Sequence, residues 1–406
     1  MSERRFFMNT KKLSSAIFSV VIAVFLLSSC DYMNYFKDTP SSTSSPDSTS
    51  SPTEPTENPQ TSRADEIING MTLSDRIWQM FITTPEDITG IGTAVAAGDL
   101  TKEALSKYPV GGFIYFSKNI ESLDQIKEML ANTQSYSKTP MFTAIDEEGG
   151  RIQRLGDAGL VTKLPSMREI GDAGDEAQAV YAGETLGKEL RAIGFNVDFA
   201  PVADVITVGS NEDIGDRSFG SDPQLVAKMI KAEVGAMESQ NLCSVLKHFP
   251  GNGSTSANTH TEEGISYRTL DEMRQTEFIP FQAGIDAGAD MVMIAHVSVP
   301  SITVDNTPST LSKPVLDLLR NELGFSGITV SDAFNMAAIT NKYTPDTAAV
   351  EAVKAGIDII LMSPDVVSAH RAILSAVENG EISEERINES VRRIINLKLD
   401  KNIIGQ

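Results

Sequence analysis

From about residue 63 onward the chain alternates short apolar runs with longer amphipathic stretches, and it does so eight times. The runs fall at 79–82, 111–115, 141–145, 196–199, 243–246, 291–295, 327–330 and 357–361, each of strand length and without the two-residue alternation of a half-exposed strand. Between them, 122–136, 176–193, 223–240, 272–287, 313–323 and 347–354 carry helical spacing. Strands buried on both faces and separated by helices form a parallel sheet. Eight repeats predict a closed α/β barrel of the TIM type, (β/α)8, rather than an open doubly wound sheet. The 406 residues, 41% of them hydrophobic, suffice for one barrel-sized core.

The amino-terminal residues stand apart from that core. Arg4, Arg5, Lys11 and Lys12 precede an apolar run over 16–27, which ends in Leu27-Ser28-Ser29-Cys30. A basic stretch, a short apolar segment and small residues form a secretory signal over 1–29. Its ending resembles a bacterial lipobox, which makes Cys30 the lipidated first residue of an exported, membrane-anchored protein. Ser, Thr and Pro dominate residues 39–62, which cannot pack a core, so 30–62 is expected to be a disordered tether and 63–406 a single catalytic domain. Removing 1–29 takes away four basic residues and one Glu, leaving 30 basic against 54 acidic residues and a net charge of −24. That balance argues against nucleic acid as a partner. Cys243 lies in an apolar run and reads as a small core residue.

Active sites of such barrels lie at the carboxyl ends of the strands. Read in order, those ends carry Asp146 with Glu147 and Glu148, then Asp198, Lys247 with His248, His296, Asp332 and Ser363. Asp332 follows a β-branched lead-in, Ile328-Thr329-Val330-Ser331. Its alternative role is capping a helix that starts near Phe334. Histidines among carboxylates raise the question of zinc, but no pair shows the spacing of a His-x-His or His-Glu-x-x-His site, so no metal and no other cofactor is expected. Glycoside hydrolysis instead needs a carboxylate nucleophile and a proton donor on opposite sides of a sugar. Asp332 suits the first role, and the Gly/Ser/Asn-rich loop over 251–260 is placed to bring the second.

Five segments make the pattern specific: Ile145-Asp146-Glu147-Glu148-Gly149-Gly150-Arg151-Ile152-Gln153-Arg154, Asn196 to Asp204, Asp216-Arg217-Ser218-Phe219-Gly220, Lys247-His248-Phe249-Pro250-Gly251 and Ser331-Asp332. In this order they resemble glycoside hydrolase family 3, and within it the NagZ-type β-N-acetylglucosaminidases. The resemblance runs from about Ile67 to Ile403. It implies that Asp332 is the nucleophile, that Asp146, Arg154, Arg217, Lys247 and His248 bind the sugar, and that His260 is an acid/base on a loop. An imidazole with an ordinary pKa near 6.5 can give a proton to the leaving oxygen and later take one from water.

One departure bears on rate. Where the family loop reads Gly-His-Gly-Asp-Thr and ends Asp-Ser-His, this chain has Gly251-Asn252-Gly253-Ser254-Thr255 and ends Asn258-Thr259-His260. Asn258 can fix a ring tautomer but supplies no charge to an imidazolium. In a Ser-His-Asp triad the corresponding change lowers turnover about 10⁴-fold. The expected protein is therefore a monomeric, lipid-anchored, retaining exo-β-N-acetylglucosaminidase acting on terminal β-linked N-acetylglucosamine of cell-wall fragments or related glycans. The alternatives are a catalytically weak sugar-binding surface lipoprotein, or a family 3 β-glycosidase or phosphorylase of other specificity.

Overall fold

The computed structural model describes residues 59–209, 211–256, 261–303 and 305–405. Cys30, Asn258 and His260 lie outside them. The apolar runs form β1 (Phe81–Thr83), β2 (Gly112–Ile114) and β3 (Phe142–Ile145). A short antiparallel pair follows, β4 (Glu147–Gly149) and β5 (Ile152–Gln153). Then come β6 (Val197–Asp198), β7 (Cys243–Phe249), β8 (Met291–Ile294), β9 (Ile328–Ser331) and β10 (Ile360–Leu361). All but β4 and β5 belong to one parallel sheet in the order β10-β1-β2-β3-β6-β7-β8-β9. A parallel bridge from Val330 to Ile359 and the bond from Ser331 N to Ile359 O at 2.9 Å join β9 to β10 and close the barrel. The expected α/β, TIM-type architecture is the one observed.

Sequence patterning locates the helices because their ends are marked. Ser122 caps Leu123–Tyr136 in a capping box with Gln125, and Asp175 caps Glu176–Ile193. Glu176–Ile193 packs on Pro223–Ser239 at Gly183, where an added Cβ would stand 2.4 Å from the Glu233 carbonyl oxygen. Only glycine lets these backbones approach so closely.

Three boundaries differ from expectation for physical reasons. The stretch 272–287 is two helices, Leu270–Arg274 and Phe278–Asp286, because Pro280 has no N–H and is tolerated only in a first turn. The helix from Lys313 ends in a π turn, Leu318–Glu322. The first helix, Pro59–Asn69, begins four residues before the expected domain start.

β7 runs three residues beyond the apolar stretch that marks it, taking in Lys247, His248 and Phe249. Its register against β8 slips there: Leu246 pairs with Val292 and Phe249 with Ile294, three residues facing two. Such a bulge re-aims side chains at a barrel rim. The residues it re-aims are the charged ones.

Candidate active site

At the carboxyl end of the barrel lies a cavity of about 340 Å³, within the size range of small-molecule sites. Ile114, Phe116, Met293 and Leu361 give it apolar walls, and charged groups reach it from the ends of β3, β6, β7 and β9. The sequence-predicted sugar ligands Asp146, Arg154, Arg217, Lys247 and His248 all line it, as does Asp332.

Alternation along β3 and β4 sorts the three consecutive acids. Asp146 and Glu148 face the cavity. Glu147 turns away, and its carboxylate accepts from the backbone N–H groups of Arg154, Leu155 and Gly156 at 2.7, 2.9 and 2.8 Å. It thereby caps the short helix Arg154–Asp157 and fixes where Arg154 emerges. The Arg154 guanidinium lies 3.7 Å from Asp146 and 5.8 Å from the Phe116 ring centre.

Glu148 is the hub. Arg217 Nε and Nη2 each donate to it at 2.8 Å, a bidentate pair, and Lys247 Nζ approaches it at 2.6 Å while also donating to Asp146 at 3.0 Å. Burial alone would push the Glu148 carboxyl up, but Arg217 and Lys247 hold it well below the usual carboxylate range. Burial would likewise lower Lys247 and Arg217, yet the facing carboxylates hold both above their ordinary values. These groups stay ionised at any physiological pH and cannot trade protons. They can bind and orient, and the proton chemistry falls to other residues.

Two structural devices position this set. Arg217 stands on the turn Gly215–Arg217, in a loop held by Asn211 Oδ1, which accepts from Ile214 N at 2.8 Å. Arg151 donates to the carbonyls of Glu212 and Asp213 in the same loop at 2.9 and 2.6 Å. His248 is fixed by Asp204, fully buried, whose Oδ2 lies 2.7 Å from Nδ1. With the proton on Nδ1, Nε2 is left to accept from Arg217 Nη2 at 3.4 Å.

Asp332 is half-buried at the end of β9. Its N–H donates to Ile294 O at 2.9 Å, continuing the barrel ladder, and its Oδ1 accepts from Ala333 N at 2.7 Å. No helix starts at Phe334. The next one is Ala337–Thr340, with Met336 at its cap position, so Asp332 does not serve as a helix cap.

The other strand-end groups do not join the cavity wall. Asp198 is fully buried, its Oδ1 accepts from Glu147 N at 2.9 Å, and burial pushes its carboxyl well up. His296 is enclosed, with Thr310 Oγ1 at 2.9 Å from one ring nitrogen and Ala333 O at 3.0 Å from the other. Ser363 is buried too. Sequence reasoning left Glu148 and Asp204 out of the ligand set. The two-residue alternation from Asp146 was the available signal for Glu148, whereas the Asp204–His248 contact depends on how the β6 loop crosses to β7 and leaves no local mark. Among the described residues no cluster of three His, Cys, Asp or Glu side chains is arranged to hold a metal ion.

A parallel eight-stranded barrel that gathers carboxylates, guanidinium groups and an ammonium around a sugar-sized cavity has the architecture of a barrel glycosidase. The chain belongs to glycoside hydrolase family 3: the model of the glycosyl hydrolase family 3 N terminal domain matches residues 72–397. It is 34% identical over 329 residues to a beta-hexosaminidase A of Pseudoalteromonas piscicida, matching 73% of this chain and 54% of that protein. To a beta-hexosaminidase of Nitrosomonas eutropha it is 35% identical over 318 residues, 75% of this chain and 90% of the relative. The chain thus spans about half the length of the first relative and most of the second. Among solved structures, a glycoside hydrolase family 3 beta-N-acetylglucosaminidase from Paenibacillus sp. superposes with a TM-score of 0.78 at 34% identity, over 83% of this chain and 64% of that one.

Proposed function

We propose that the protein is a retaining exo-β-N-acetylglucosaminidase that releases terminal β-linked N-acetylglucosamine from cell-wall fragments or related glycans. One observation carries the reading: Asp332 shares a single cavity with the Asp146–Lys247–Glu148–Arg217 network. The names of the relatives point to the same substrate class.

In this mechanism Asp146, Arg154, Arg217, Lys247 and His248 hold the sugar hydroxyls, with carboxylate accepting and cations donating. Asp332 attacks the anomeric carbon while His260 protonates the departing oxygen, and the bond to the aglycone breaks. A covalent glycosyl-enzyme results. His260 then takes a proton from water, which attacks the same carbon, frees Asp332 and leaves the sugar with its configuration retained. Cys30 anchors the protein by its lipid outside the cytoplasm.

Asn258 favours a second reading, a sugar-binding lipoprotein of low turnover, because the loop histidine lacks a charged partner in the sequence. Incubation of the full-length protein with a chromogenic N-acetyl-β-glucosaminide separates the two. Turnover lost in Asp332→Ala and in His260→Ala supports the enzyme, whereas sugar binding without turnover at high protein concentration supports the second reading. Asn258→Asp is expected to raise turnover, and an unchanged rate would mean that the loop already has its acid/base.

A further inference from the structure

The network around Glu148 accounts for most of the charge in the cavity, but one wall is built differently. Asp213, from the loop after β6, and Asn252, from the loop after β7, both line the cavity and belong to none of the ion pairs described above. Asn252 is 2% exposed. Its backbone N–H is held by Asp204 Oδ1 and its carbonyl by Asn211 Nδ2, both at 2.6 Å, so the residue is fixed at both ends of its peptide unit. Its side-chain Nδ2 donates to Asp213 Oδ2 at 3.3 Å. That donation settles the amide orientation, since the opposite one would set a carbonyl against a carboxylate. The remaining atom, Asn252 Oδ1, is buried with no hydrogen-bond partner.

That oxygen is shut off from the cavity, and what Asn252 contributes there is its hold on the Asp213 carboxylate, while Arg151 Nη2 and Arg217 Nη1 fix the Asp213 carbonyl at 2.6 and 3.3 Å. The cations of the cavity are already paired: Lys247 with Asp146 and Glu148, Arg217 with Glu148, Arg154 with Asp146 and Arg151 with Asp216. Asp213 is thus a carboxylate, held by Asn252, that borders a cavity whose nearest fixed donors are engaged elsewhere. A sugar substituent carrying N–H or O–H complements it, and an anionic substituent does not.

We propose that the Asp213 carboxylate, positioned by Asn252, binds one N–H or O–H donor of the sugar and so selects among glycosides. This inference rests on the sugar-hydrolase reading of the same cavity. Of the donors on N-acetylglucosamine, Asp213 takes one, and a series of analogues each lacking one donor identifies it.

The test uses chromogenic β-glycosides of the 3-, 4- and 6-deoxy sugars, and of the 2-O-acetyl sugar that keeps the acetyl carbonyl but lacks the N–H. They are run against wild type, Asp213→Ala and the isosteric Asp213→Asn. A hydrogen bond to a charged group is expected to make Asp213→Ala raise KM about ten- to a hundredfold, with kcat changed far less. Asp213→Asn keeps an acceptor and is expected to fall between. The decisive readout is non-additivity. One analogue is expected to bind poorly to wild type and to lose that handicap in Asp213→Ala, while the others keep theirs. A merely structural role would weaken all analogues alike, and that uniform result, or an unchanged KM in a folded variant, overturns the proposal. If wild type turns over none of the glycosides, the hydrolase reading fails separately. The same series is then read by calorimetric binding of the free sugars, where the same non-additivity supports the role of Asp213. Failure of wild type to bind any of them contradicts both.

Discussion

The two ends of the barrel both bury charge, but in opposite ways. At the amino-terminal end Asp358, fully buried, takes Arg320 at 2.7 Å, Arg393 at 3.0 Å and Ser390 Oγ at 2.6 Å. Lys398, also fully buried, donates to Gln79 Oε1 at 2.9 Å and to the Gly111 carbonyl at 3.0 Å, tying the last long helix to the starts of β1 and β2. A groove of about 390 Å³ opens there as well, so volume does not separate the two ends. What separates them is where the charged groups point. In the lower groove Asp290 is spent on Lys401 and Arg393 on Asp358. In the upper cavity the ion pairs orient one another while Asp146, Asp213 and Asp332 still border the open space. Charge at the bottom staples the barrel, and charge at the top prepares it for a ligand.

Substitutions can break that comparison at several points. The largest effect is expected for Asp332→Ala, which should lower turnover about 10⁴-fold or more without changing the thermal midpoint by more than a few degrees. Steady-state kinetics beside a melting curve checks both. Next come Glu148→Ala and Asp358→Ala. Each leaves buried cations without their carboxylate and should cost about 3–5 kcal/mol in denaturant unfolding. Only Glu148→Ala should also weaken sugar binding. If Asp358→Ala changed KM in the fraction that remains folded, the division of labour between the two ends would be wrong.

A smaller loss is expected for Asp204→Asn. It keeps the shape around His248 but removes the charge that orients the ring, and kcat/KM should fall about tenfold. The mildest prediction concerns pH. Burial lowers Lys398 to about 7, below its unfolded value, so the folded state sheds a proton that the unfolded state keeps. Its burial penalty is therefore fully present below pH 7 and is relieved as pH climbs toward 10. Unfolding measured across that range should show less of this rise in Lys398→Met than in wild type.

Much of this was legible in the sequence, for reasons that can be traced. Strands buried on both faces leave continuous apolar runs, which is why all eight barrel strands could be placed to within a few residues. Helix ends such as Ser122 and Asp175 carry their own caps. Long-range pairing leaves no such trace. Nothing near His248 announces Asp204, and nothing in Asn252 reveals that its side chain holds Asp213 at the cavity. Glu147 and Glu148 are identical in type, and only the two-residue alternation assigns one to a helix cap and the other to the centre of the site. Lys247 and His248 lie within β7 rather than beyond it because a bulge, invisible to hydrophobic pattern, carries the strand past its apolar stretch.

The account turns on Asp332 as a nucleophile that shares its cavity with the groups around Glu148. The direct test is mass spectrometry of the intact protein and its peptides after incubation with a slowly hydrolysed, 5-fluorinated N-acetyl-β-glucosaminide. A gain of one sugar residue on the peptide that carries Asp332, absent from Asp332→Ala, is the predicted result. A sugar bound covalently at another residue, or steady turnover of the parent glycoside by Asp332→Ala, would contradict it.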